Sequence, residues 1–154
     1  MVKSNFNFWY NWLLIVSIAN LFIGILVAFF PNSFLFSFYT DAIAETYFSG
    51  LISDQHKELQ SFLFGIIGGT IAGYFVLQTF IVLFPFYRRE PWAWYAILIA
   101  IITWFVIDSG LSIYHGAVFN VWMINIWPMI LICIPLIMTY RNFFPKEGGP
   151  DEST

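Results

Sequence analysis

Charge is what this chain has least of. Lys, Arg, Asp and Glu together make up 10% of its 154 residues, against about 25% in a typical soluble domain. So little charge cannot keep a protein surface in water, which argues against an ordinary soluble globular fold. The basic residues number 6 against 9 acids, for a net charge of −3. They form no run longer than Arg88-Arg89, so the phosphate footprint of a nucleic-acid binder is missing. Cysteine occurs once, at Cys133, which rules out an intrachain disulfide. The histidines are two, His56 and His115. Neither sits in a local metal-ligand motif, and we expect no metal and no cofactor.

What is abundant is apolar. Hydrophobic residues fill 60% of the chain, aromatic residues 22%, and the mean hydropathy is +0.77. They gather in four stretches, about residues 8–30, 62–84, 92–112 and 119–140. Each meets the requirement of about 20 mostly apolar residues for a membrane-spanning helix. The expected fold is therefore all-α, an integral membrane four-helix bundle occupying residues 1–144 as a single domain. Too few residues lie outside the spans to build a separate soluble core. Residues 145–154, rich in Gly, Pro and acids, are expected to form a disordered cytoplasmic tail. Lys3 precedes the first apolar run as it would in a secretory signal. That run is too long, contains Asn20 and ends in Phe-Phe-Pro rather than in small residues, so it reads as a retained anchor.

Basic residues near span ends stay on the cytoplasmic side. Lys3, Arg88, Arg89, Arg141 and Lys146 fall on one side of the four spans, and Lys57 alone falls on the other. Both termini and the Arg88-Arg89-Glu90 turn are thus expected in the cytoplasm, in a multi-pass protein of the cell (inner) membrane. Trp9, Trp12, Trp92, Trp94 and Tyr140 lie where inner-interface anchors belong. Pro91 suits the first turn of the third span, where a missing N–H is harmless.

The outward connection, residues 31–60, is long and aromatic. From Asp41 to Leu51, the residues Ile43, Tyr47, Phe48 and Leu51 share a helical face while Asp41 and Glu45 lie elsewhere. The pattern predicts a short interfacial helix with solvated acids. Ser53 is the expected N-cap of the second long helix, which then starts in water at Asp54.

The strongest candidate site centres on Asp108, deep in the third span. At 1.5 Å per residue from Trp92 it lies about 24 Å across an apolar core of about 30 Å. An intramembrane acid costs several kcal/mol unless paired or hydrated, so it must face the bundle or a polar pocket. Ser112 and His115 share its helical face. Asn120 and Asn125 lie at compatible depth in the fourth span, as do Thr70 in the second and Asn20 in the first. These seven residues form the expected ligand pocket. A purely structural buried acid is the alternative for Asp108, and a wetted helix end is the alternative for His115. Gln78 lies in the other half of the membrane and reads as an interhelical hydrogen-bonding residue. Pro128 and Pro135 free backbone carbonyls one turn earlier.

Gly65, Gly69 and Gly73 recur every four residues in the second span, with Gly68 and Ala72 beside them. Such a face lets another helix backbone approach closely. It serves either packing within one chain or a homo-oligomer.

The run Arg89-Glu-Pro-Trp-Ala-Trp-Tyr95, followed by Trp104-Phe-Val-Ile-Asp108-Ser109 and later by Asn120 and Asn125, resembles a group of small bacterial four-helix membrane proteins. The likeness covers mainly residues 85–125. It implies a four-span fold and a bacterial membrane, and it transfers no catalytic residue. The function expected is binding of a lipid or an amphipathic small molecule in an outer-half polar pocket around Asp108. An enzyme acting on a lipid or isoprenoid is one alternative, and an accessory or proton-coupled transport subunit is the other. No catalytic motif is present, so no catalytic residue is assigned. The partners expected are the lipid bilayer and that ligand.

Overall fold

The computed structural model describes residues 5–50 and 52–145. Lys3, Leu51, Lys146 and nearly all of the expected tail lie outside the described residues. Four helices are long and apolar enough to cross a membrane: α1 (Phe6–Phe29), α3 (Asp54–Phe86), α4 (Pro91–Tyr114) and α5 (Val118–Phe143). A shorter helix, α2 (Ser37–Phe48), lies in the connection between α1 and α3. The described residues contain no strand. Large apolar side chains are exposed all along the four long helices, among them Phe22, Ile66, Ile99 and Ile137. Water would not tolerate so much apolar surface, and lipid would cover it at no cost.

Helix ends follow local rules. Asn5 caps α1 by accepting from the Phe8 N–H. Ser53 caps α3 by accepting from the His56 N–H, so α3 begins eight residues before its apolar core, as the cap predicts. Pro91 occupies the first turn of α4. Gly116 closes the α4–α5 turn at φ +77, a backbone conformation that suits glycine.

Helix α1 packs along α3 and, on its other side, against α5, which in turn packs on α4. Helix α3 meets α4 through its last segment, Val82–Phe86. At this end Phe6, Phe86 and Phe143 form one aromatic cluster, with ring centroids 4.6 to 6.2 Å apart. The Arg89 guanidinium sits 4.7 Å over the Phe6 ring. The start of α1, the α3–α4 turn and the end of α5 therefore share one end of the bundle, and α2 and the α4–α5 turn share the other.

Helices α1 and α3 approach each other closely. A Cβ placed on Gly68 would lie 2.4 Å from the Ala28 N and 2.6 Å from the Gly24 O. One placed on Gly24 would lie 2.6 Å from the Ala72 N. A Cβ on Gly65 would lie 3.8 Å from the Ala28 O, an ordinary contact, and nothing lies within 4 Å of a Cβ on Gly69 or Gly73. The contact thus runs through Gly68 and Ala72 rather than through the Gly65, Gly69 and Gly73 row. Adjacent helix positions are about 100° apart, so one residue decides which row meets α1.

Prolines reshape two helices. Pro85 lies inside a π-helical segment, Val82–Phe86, and a second π-helical segment, Val121–Asn125, precedes Pro128. Pro135 has no N–H to offer the Leu131 carbonyl, and the Trp12 indole N–H donates to it instead at 3.1 Å. The Trp94 indole donates to the Leu136 carbonyl at 2.8 Å. In this way two tryptophans tie α1 and α4 to α5. Gln78 is buried and donates to the Ser17 hydroxyl at 2.9 Å, bonding α3 to α1.

A candidate polar site at one end of the bundle

Asp108 lies 17 residues into the third long helix, close to the end that α2 covers. Its Oδ1 accepts from the side-chain amides of Asn120 and Asn125, each at 2.7 Å. The Ser112 hydroxyl donates to the Asp108 carbonyl at 2.7 Å and also approaches Oδ1 at 3.3 Å. Each amide uses both hydrogens. Asn120 also donates to the Ser112 Oγ at 2.8 Å, and Asn125 to the Ser109 Oγ at 3.0 Å. The carboxylate fixes both amide orientations, because an amide oxygen turned toward it would oppose two acceptors.

The π-helical segment explains how two asparagines reach one oxygen. Residues five apart in an α-helix point about 140° away from each other. In a π-helix the hydrogen bond runs from i to i+5, which brings such residues nearly above one another. Val121–Asn125 is π-helical, and Asn120 and Asn125 both face Asp108. Ser109 and Ser112 approach from α4 itself.

Helix α2 adds a further layer. The Tyr39 hydroxyl donates to the Asn120 Oδ1 at 3.0 Å, and the Tyr47 hydroxyl donates to the His115 carbonyl at 3.0 Å. The Tyr39 ring packs against Phe64 and Phe119. Burial pushes the Tyr39 hydroxyl pKa up to about 12, with the charge of Asp108 and then Tyr47 adding to the shift. Between α2 and the α4–α5 turn lies an open cleft of about 320 Å³, walled by Ile43, Leu111 and Phe119 and by the polar groups of Tyr39, Ser112 and Asn120. Asp108 is half-buried and stands directly behind Ser112 and Asn120.

Of the seven residues expected in the pocket, Asp108, Ser112, Asn120 and Asn125 form one hydrogen-bonded group. His115 lines the cleft, and its ring lies edge-on to Tyr114. Asn20 and Thr70 stand apart, each bonded to its own helix, at the carbonyls of Val16 and Ile66. Asn20 belongs to α1, which packs between α3 and α5 and away from α4. Sequence reasoning missed Ser109, Tyr39 and the apolar wall of the cleft. Ser109 is visible as a neighbour of Asp108, but nothing along the chain announces that α2 folds over the end of α4.

No protein-family model matches the chain, and no curated protein or solved structure is significantly similar to it. The likeness to bacterial four-helix membrane proteins therefore gains no family assignment. The function has to be read from the site.

Proposed function

We propose that this is a multi-pass membrane protein that binds a lipid or an amphipathic small molecule at the Asp108 site. The observation that carries the reading is the conjunction of a carboxylate gathered by Asn120, Asn125 and Ser112 with an adjoining cleft of about 320 Å³. Part of that cleft is apolar wall, and part is hydrogen-bonding side chains. Such a cleft can hold the polar end of a ligand by a few groups and its tail against the apolar wall. An acid maintained this far along a spanning helix is otherwise expensive.

In this reading the Arg88, Arg89 and Arg141 end of the bundle faces the cytoplasm, by the retention of basic residues on that side. The termini lie there too, and the host membrane is a bacterial inner membrane. Helix α2 rests at the outer interface, with the exposed Asp41 and Glu45 toward water and the half-buried Ile43 and Phe48 toward the bundle and lipid. The ligand enters from the outer leaflet. Binding is preferred over catalysis because the Ser109 and Ser112 hydroxyls are both held in the network, which leaves no activated nucleophile beside Asp108.

The test is untargeted mass spectrometry of molecules that co-purify with wild type and with Asp108→Asn prepared identically. A molecule enriched in wild type and depleted in the variant is the expected result. Identical profiles from two folded proteins would refute ligand binding at Asp108.

A further inference from the structure

We propose that the head group this site takes is a protonated amine, an ammonium carrying N–H bonds on an amphipathic molecule. The inference deepens the binding reading above and rests on it. It follows from counting donors and acceptors. Both hydrogens of the Asn120 amide and both of the Asn125 amide are spent on Asp108, Ser112 and Ser109. The Ser112 hydroxyl is spent on the Asp108 carbonyl and the Tyr39 hydroxyl on Asn120. Two acceptors remain without a donor among the described residues. The Asp108 Oδ2 takes no hydrogen bond from the described residues. The Asn125 Oδ1 is fully buried with no partner, although its own amide nitrogen touches Asp108. A buried acceptor such as the Asn125 Oδ1 is rarely left unmet, and the Asp108 Oδ2 belongs to a half-buried side chain.

Charge points the same way. No Lys, Arg or His side chain forms an ion pair with Asp108 among the described residues. The described lysine, Lys57, pairs with Asp54 at the start of α3, and Arg88 and Arg89 lie at the other end of the bundle. A carboxylate in the outer part of a bilayer without a countercharge is an incomplete arrangement. A neutral alcohol supplies hydrogens but no charge. A quaternary ammonium supplies charge but no hydrogens. An anionic head meets the carboxylate with repulsion. Among these head groups, a protonated amine supplies both missing properties. The Tyr39 and Phe119 rings line the same cleft, and Ile43 and Leu111 provide apolar wall for the tail.

The experiment measures thermal unfolding in a neutral sugar detergent with four probes of equal tail length: dodecylammonium, dodecyltrimethylammonium, dodecanol and dodecyl sulfate. Wild type, Asp108→Asn and Leu111→Trp are compared at matched probe-to-detergent ratios. Dodecylammonium should stabilise wild type at the lowest concentration. Its half-maximal concentration should rise about tenfold or more in Asp108→Asn, as expected for a charge-assisted hydrogen bond. Leu111→Trp adds bulk at the cleft wall at a residue that makes none of the hydrogen bonds of Asp108, so it keeps the test valid if Asp108→Asn folds poorly. It should weaken the response. Equal responses of wild type and a folded Asp108→Asn would overturn the amine assignment. A stronger response to dodecanol or dodecyl sulfate that Leu111→Trp weakens would also overturn it while upholding the binding site. No probe effect that depends on Leu111 would overturn both.

Discussion

The contact between α1 and α3 offers the sharpest prediction, because neighbouring glycines have opposite expected behaviour. In Gly68→Ala the new Cβ would stand 2.4 Å from the Ala28 N, 2.6 Å from the Gly24 O and 2.8 Å from the Ala28 Cα. All three are backbone atoms, so no rotamer change relieves the clash. Reaching an ordinary contact requires the helices to separate by about 1 Å. A gap of about 0.5–1 Å forfeits a quarter to a half of the attraction between facing atoms, and overpacking of this kind costs about 1–3 kcal/mol. The expected loss is about 2–3 kcal/mol, or a fall of roughly 5–10 °C in Tm for a chain of this size. In Gly69→Ala and Gly73→Ala the added methyl meets nothing within 4 Å. Alanine is about 1 kcal/mol better than glycine inside a helix, so both variants should unfold at or above the wild-type temperature. The assay is thermal unfolding in detergent followed by circular dichroism. Gly24→Ala should behave like Gly68→Ala, and the double variant should lose less than the two losses combined, because one separation relieves both clashes. Equal destabilisation by Gly68→Ala and Gly69→Ala would refute the assigned face.

Other outcomes follow from single contacts. Asp108→Asn should keep most of the stability, since an amide oxygen still accepts from Asn120 and Asn125, whereas Asp108→Leu strands both donors at a further cost of about 2–4 kcal/mol; equal melting temperatures would contradict the network. Trp12→Phe should cost about 1–2 kcal/mol by orphaning the Leu131 carbonyl that Pro135 cannot serve, and Trp9→Phe should cost less; comparison of their thermal transitions decides it. Tyr39 titrates from an ordinary value of 10.0 up to about 12 in the folded protein. The folded state thus holds this proton more tightly than the unfolded state, and the associated stability is complete below pH 10 and lost as the pH climbs toward 12. The loss is on the order of 2 kcal/mol. Tyr39→Phe should remove the corresponding late step from a tyrosinate absorbance titration and flatten the alkaline fall in stability; superimposable titrations would disprove the assignment.

The four long helices were legible along the chain because apolar length alone sets them, and local chemistry set several of their ends. Ser53 and Pro91 act as a cap and as a first-turn residue wherever the helix lies in space. The unusual position of Asp108 was equally visible, since an acid in a spanning segment always needs a partner. The identity of the partners was less accessible. Asn120 and Asn125 are five residues apart, and an α-helical reading sends them to different sides. A π-helical segment ahead of Pro128 brings them together. Asn20 and Thr70 matched Asp108 in depth, but depth carries no information about which helices are neighbours.

The sequence by itself determined the helical, membrane-compatible architecture and the need to satisfy Asp108, because both follow from the free energy of placing each residue type in lipid. Tertiary structure alone decided that Gly68 rather than Gly69 meets α1, that Tyr39 closes over Asn120, and that Asn120 and Asn125 converge on Asp108. Each of these depends on a rotation or a pairing of helices. Lipid surrounds every apolar face equally well, so hydrophobic pattern cannot choose among them, and close packing and hydrogen bonds do.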